Sequence, residues 1–242
     1  MICGIIFDLG GTLIRVDDPD LEAGNARALL VWLRRRGFSI PDGFAEAVMA
    51  ERQALWASRT GLKEVTADQA LRTVLERHGL PTGGEFVADA ERAFFSYELE
   101  RMQPLPGAVE LLAGLNRVGL RTGLISNASS HYLVVECCRR LLFASYLEPI
   151  VSSAAFGWSK PDPRIFRAVL RQWDLPPEEA AMVGDTLAAD TAGARAAGMR
   201  SILLTAVHPP GAPEGLPSVR PDAVARTLRE AGEIIDRWRE RP

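Results

Sequence analysis

Apolar residues along this chain follow two rhythms that alternate. Short, nearly continuous apolar runs occupy Cys3–Phe7, Thr122–Ser126, Pro149–Ser152, Ala181–Val183 and Ser201–Leu204, the pattern of parallel strands covered on both faces. Between the later runs, Ala108–Val118, Ser130–Leu142, Pro163–Trp173 and Ala188–Ala197 carry apolar residues at helical spacing, with Gly119 and Gly198 at stop positions. The alternation predicts an α/β fold, a doubly wound, mainly parallel, Rossmann-like sheet.

The first run breaks the alternation, because the next convincing strand begins only at Thr122. The chain between reads as helices over Leu21–Arg36, Gly43–Ser58, Thr66–His78 and Glu85–Met102. Thr66 to Gln69 has the form of a capping box. Gln103–Ala108, "QPLPGA", reads as a Pro/Gly hinge. The expected organisation is a core of residues 1–14 and 104–242 with a helical cap inserted over 15–103. In a doubly wound sheet, ligands bind beyond the carboxyl ends of the strands, so an insertion leaving that end would lie over the site. The tail predicts a proline-rich loop over His208–Pro221 and a last helix over Ala223–Trp238.

Composition narrows the function classes. With 242 residues, 47% of them apolar, the chain is ample for a buried core. A formal charge of −3 and the lack of a polybasic run argue against nucleic acid and anionic membrane as partners. The three cysteines, Cys3, Cys137 and Cys138, form no disulfide framework, and no signal peptide or membrane-length apolar run is visible. A cytoplasmic protein, monomeric or homodimeric, acting on a small molecule is the expectation. Only Lys63 and Lys160 among the 28 basic residues are lysines, and a lysine among arginines can mark a place that needs a compact ammonium. His78, His131 and His208 share no metal-ligand spacing.

The strand ends carry the chemistry. The first gives Asp8, followed by Gly10, Gly11 and Thr12; the second gives Ser126 and Asn127; "GWSKPDP" gives Lys160; "MVGDTLAAD" gives Asp185 and Asp190. A doubly wound sheet brings these into one crevice. A carboxylate there can act as nucleophile or hold a cation. A hydroxyl and an amide can donate to phosphoryl oxygens, and a lysine can offset their charge. Further carboxylates can complete a Mg²⁺ site, and glycines let backbone amides approach an anion. Each acid alone could be a helix cap or a solvated surface group, and Ser126 and Asn127 could cap the helix at Ser130.

In order and spacing these four stretches resemble the haloacid dehalogenase superfamily. Its pattern is an apolar strand ending D-x-D-G-T/V, a strand-end Ser or Thr, a Lys, then G-D-x(3–4)-D. Here these are Asp8–Thr12, Ser126, Lys160, and Gly184–Asp185 with Asp190. The resemblance covers 1–14 and about 104–207, and extends to the insertion only in position and helical character. It implies that Asp8 attacks phosphorus and forms an aspartyl-phosphate. It also implies Mg²⁺ held by Asp8, the Gly10 carbonyl and Asp185, with Thr12, Ser126, Asn127 and Lys160 around the phosphate. Asp190 would then orient Lys160 or metal-bound water.

Gly10 departs from that pattern, since phosphatases of the family place their general acid–base Asp there. General acid–base catalysis contributes ~10²–10⁴ in rate, so activity is expected to be lowered or redirected. A phosphatase that favours good leaving groups or takes its acid elsewhere is one reading, with Asp17 and Asp18 at the hinge as candidate acids. A weakly active or non-catalytic phosphate-binding protein is another. A phosphonatase would need Lys63 at the site, and a haloacid dehalogenase also lacks the second Asp. The first loop, "DLGGTL", also resembles that of sugar-kinase and actin-like ATPases, though no second nucleotide loop follows.

Overall fold

The computed structural model describes residues 1–207 and 219–240. The predicted loop at His208–Pro221 falls mostly outside them, as does His208. The described chain runs β1 (Gly4–Phe7), β2 (Ile14–Arg15), α1 (Leu21–Arg35), α2 (Phe44–Ala57), α3 (Ala67–Arg77), α4 (Gly84–Leu99) and β3 (Gln103–Pro104). It continues through α5 (Ala108–Arg117), β4 (Arg121–Ser126), α6 (His131–Arg140), β5 (Ile150–Ser152), α7 (Ser153–Phe156) and α8 (Pro163–Trp173). The last elements are β6 (Ala180–Gly184), a π-turn at Leu187–Thr191, α9 (Ala192–Ala197), β7 (Arg200–Leu204), β8 (Ala223–Ala225) and α10 (Leu228–Glu240).

Six strands pair in parallel in the order β5-β4-β1-β6-β7-β8. The chain goes from β1 outward through β4 and β5, then returns to the other side of β1 with β6. The order therefore reverses around β1, which opens a crevice at the carboxyl ends of β4, β1 and β6. Alternating side chains cover the two faces. Ile5, Phe7 and Leu124 join the cluster that includes Leu112, Val134 and Ile235 from α5, α6 and α10. Ile6, Ile125 and Met182 pack against Ile165, Phe166 and Val169 of α8. Burial on both faces explains why the strands read as unbroken apolar runs.

Three predicted elements differ in detail. Residues Ala223–Ala225, expected to begin the last helix, form β8 instead, pairing with the open edge of β7 from Ile202 to Leu204. That long-range pairing leaves no local signature in an alanine-rich stretch. The hinge at Gln103–Pro104 is a strand that pairs antiparallel with Ile14–Arg15, so the chain leaves and re-enters the sheet region side by side. The helix expected at Ala188–Ala197 begins as the π-turn, with Thr191 N–H reaching Thr186 O at 3.4 Å. Among the described residues no helix is long and apolar enough to cross a membrane.

The helices α1 to α4 pack on one another through Leu29, Leu33, Phe44, Leu71 and Phe94, in the same apolar cluster as one face of the sheet. Gln69 Oε1 accepts from Thr66 N–H at 3.1 Å, as the capping pattern predicts. Helices α1 and α4 meet at Gly24, where an added Cβ would overlap the Tyr97 ring. Tyr97 is held by its hydroxyl donating to Asp18 at 3.0 Å and by Arg101 stacked on its ring. Alanine favours a helix by ~1 kcal/mol over glycine, whereas overpacking costs ~1–3 kcal/mol. With the ring pinned, the overlap wins, so Gly24→Ala is expected to lower the urea midpoint without changing the m-value. A raised midpoint would mean that the helices part to admit the methyl.

Candidate active site

Strand register sets the depth of each side chain. Phe7 lies level with Leu124 of β4 and Val183 of β6. Asp8 is therefore one residue past that level, and Ser126 and Asp185 are two past it. Asp8 is fixed by its N–H donating to Val183 O at 2.9 Å. Lys160 enters from the loop between α7 and α8. Asp8, Gly10, Gly11, Ser126, Asn127, Lys160, Asp185 and Asp190 all line one cavity of about 430 Å³, which Leu21, Glu98 and Met102 of the segment 15–103 also line.

A buried lysine organises the charge. Lys160 Nζ lies 2.5 Å from Asp8 Oδ1 and 2.7 Å from Asp190 Oδ1, and its side chain is 2% exposed. Burial pushes the ammonium pKa down, but the charges of Asp190 and Asp8 outweigh it and hold it above the ordinary lysine range. The Asp8 carboxyl is raised to about 7, because burial and the Asp190 and Asp185 charges, which push it up, outweigh the Lys160 charge and hydrogen bond, which pull it down. Asp190 uses its second oxygen to accept from Thr186 N–H at 3.0 Å, which closes the π-turn. Carboxylate oxygens of Asp8, Asp185 and Asp190 all lie within 4.8 Å of one another. Two buried carboxylates share one ammonium and a third approaches them, so the donor set fits a hard divalent cation. Such a cation would hold Asp8 ionised.

Two glycines make this packing possible. A Cβ at Gly184 would overlap the Asp190 carboxylate, and one at Gly11 would overlap that of Asp185. Gly11 also has φ +74, in the left-handed region. Its N–H donates to Ile14 O at 2.8 Å, so that amide serves the turn, where sequence reasoning expected it to face an anion. Gly10 is different. It is exposed, and a Cβ built there meets nothing within 4 Å.

Other expected residues are placed as follows. Asn127 lines the cavity, but its side chain clamps the Lys160 main chain, donating to Lys160 O at 3.0 Å and accepting from Lys160 N–H at 2.8 Å. Thr12 is fully buried beneath the loop and does not line the cavity, contrary to its expected place among the substrate-binding groups. The cap of α6 is Ser130, which accepts from Leu133 N–H at 3.0 Å. Asp17 and Asp18 line a separate cavity with Arg15 and Arg101, and Asp18 is ion-paired to Arg101 at 2.8 Å. Lys63 is exposed and pairs through its main chain with Trp158, so a phosphonatase reading lacks its amine at the site. Neither Trp158 nor His131 lines the cavity, and His131 Nδ1 lies 3.0 Å from Ser152 Oγ. Cys137 and Cys138 are buried, and burial lifts both thiols to about 12.

Glu98 and its partner Asn25 were not singled out from the sequence. The signal was there, because each interrupts an apolar stripe: Leu21, Asn25, Leu29 and Leu33 on α1, and Phe94 and Glu98 on α4 followed by Met102 just beyond it. A polar residue in such a stripe is buried and must find a partner.

The haloacid dehalogenase-like hydrolase family profile matches residues 2–198. A ribulose-1,5-bisphosphate 5-phosphatase of Halopiger xanaduensis is 31% identical over 98% of this chain and 96% of its own length. A phosphoserine phosphatase of Thermus thermophilus is 34% identical over 73% of each chain. The crystal structure of a 2-haloacid dehalogenase from Pseudomonas syringae superposes with a TM-score of 0.75 at 26% identity, over 98% of this chain and 100% of that one. With the family's profile spanning four of the six strands of the sheet, β1, β4, β5 and β6, and all the strand-end residues, the chain belongs to the haloacid dehalogenase-like hydrolases.

Proposed function

We propose that the protein is a Mg²⁺-dependent phosphatase that acts on a small phosphorylated metabolite through an aspartyl-phosphate at Asp8. The observation that carries this reading is the Asp8 carboxylate in the cavity, 2.5 Å from the Lys160 ammonium and grouped with Asp185 and Asp190. The relatives named for a sugar bisphosphate and for phosphoserine support the substrate class.

The residues divide the work of phosphoryl transfer, which is mostly positioning and charge neutralisation. Asp8 supplies the attacking oxygen. Lys160, held by Asp190 and by the Asn127 clamp, screens Asp8 from the incoming phosphate and binds a phosphoryl oxygen. Ser126 donates to another. Mg²⁺ bound by Asp8, the Gly10 carbonyl and Asp185 would supply the remaining neutralisation of phosphoryl charge. The helices of residues 15–103 act as the cap, with Leu21, Glu98 and Met102 walling the side where the leaving group sits.

A dehalogenase reading is favoured by Gly10, since a departing halide needs no proton, and by the likeness to the 2-haloacid dehalogenase. The carboxylate cluster at Asp185 and Asp190 speaks for a phosphate and its cation instead.

Purified protein with Mg²⁺ is expected to hydrolyse 4-nitrophenyl phosphate. Asp8→Asn should fall to the background rate, and a chelator should abolish activity that added Mg²⁺ restores. Chelator-insensitive chloride release from 2-chloropropionate, with no ester turnover, would replace this reading with the dehalogenase one. Asn127→Ala removes the clamp on Lys160 and is expected to lower kcat/KM by about 10–100-fold, as loss of a supporting contact at a charged site does. An unchanged value would mean that the Lys160 main chain keeps its place without Asn127.

A further inference from the structure

Resting on the phosphatase reading, we infer that Glu98 is the general acid–base that replaces the side chain missing at Gly10. Glu98 lies on α4, outside the core motifs, yet it lines the same cavity as Asp8, Lys160 and Asp185. It is held there by Asn25, which is fully buried on α1. Asn25 Nδ2 donates to Glu98 Oε2 at 2.8 Å, and Asn25 Oδ1 accepts from Glu98 N–H at 3.0 Å. Because Oε2 is an acceptor in that bond, a proton on the carboxyl resides on Oε1.

The surroundings favour a carboxyl that holds this proton. Burial raises the Glu98 pKa above the usual glutamate value, the Asn25 bond lowers it, Glu22 of α1 raises it and Arg52 of α2 lowers it. Cys137 of α6 also faces it. The hinge acids do not compete for the role. Asp18 is ion-paired to Arg101, and with Asp17 it lines a different cavity.

The proton balance closes. Asp8 forms a bond to phosphorus as the bond from phosphorus to the leaving oxygen breaks. That oxygen keeps the electron pair and takes the proton from Glu98 Oε1, leaving a carboxylate. In the second step water attacks the aspartyl-phosphate, its proton returns to Glu98, and phosphate and free Asp8 are regenerated.

The test compares an aryl phosphate, whose phenolate leaves unaided, with an alkyl phosphate, whose alkoxide needs a proton. The native protein is expected to hydrolyse both. Glu98→Gln, which keeps size and the bond to Asn25, should lower the alkyl-to-aryl ratio of kcat/KM by about 10²–10⁴-fold, the usual worth of a positioned acid. Gly10→Asp in the Glu98→Gln background should restore alkyl turnover, because position 10 is open. If the native protein turns over the aryl ester but not the alkyl one, no acid operates and the inference falls while the phosphatase reading stands. Equal losses on both esters in Glu98→Gln would also overturn it, as would a ratio that does not move. If neither ester reacts in the native protein, both readings fall together.

Discussion

A lysine ammonium held between two carboxylates, nearly out of reach of water, is the constraint around which the carboxyl edge of the sheet is built. Burying Lys160 alone would be prohibitive, and removing one partner of such a pair costs ~3–5 kcal/mol. Asp8 and Asp190 must therefore both arrive within ion-pair distance, from different strands. Asp190 reaches Lys160 because the chain after β6 makes a π-turn and because Gly184 has no side chain to obstruct it. Lys160 itself is fixed at its main chain by Asn127. The residue before it, Ser159, is buried and donates to Glu64 at 3.0 Å, with Arg59 bonded to the same hydroxyl. Ser159 N–H also donates to Leu62 O, and Glu64 N–H to Gly157 O. The inserted helices are thus tied to the loop that delivers the lysine.

Much of this was legible in the sequence because the signals are local. Five strands, the helices between them and the four inserted helices follow from periodicity and stop residues, and they fall within a few residues of prediction. The strand-end residues Asp8, Ser126, Lys160, Asp185 and Asp190 converge because a doubly wound topology leaves them little alternative. What periodicity missed depends on partners far along the chain. Strand β8 exists because β7 offers an open edge. The amide of Asn127 turns to a main chain thirty-three residues away instead of to the cavity. Gly11 is needed to make room for Asp185, and its N–H belongs to the turn.

The acid inferred in place of a side chain at Gly10 shows the same division between local and distant information. Asp17 and Asp18 were natural candidates because they stand near Asp8 in sequence, but Arg15 and Arg101 hold them at another surface. Glu98 stands ninety residues from Asp8 and comes to the cavity only because the chain returns along α4 to pair with β2. Its presence in an otherwise apolar stripe, answered by Asn25 in the stripe of α1, was the one trace it left in the sequence.

A proton donor at Glu98, as inferred, would have a consequence that a donor on the first loop would not. An acid at position 10 would travel with Asp8 and be in place whatever the helices do. An acid at position 98 is aligned only when α1 and α4 are seated over the sheet, since its oxygen is positioned by Asn25 and its wall of the cavity by Leu21 and Met102. The contacts of Leu62 with Ser159 and of Glu64 with Gly157 tie the link between α2 and α3 to the loop that carries Lys160. On that reading, the groups proposed as nucleophile, counter-ion and acid all depend on how the insertion packs against the sheet. Esters that need a proton would then be sensitive to how well the leaving group fits beneath the helices, and esters that need none would not. The inferred acid would in that way place substrate selection and proton transfer on the same surface.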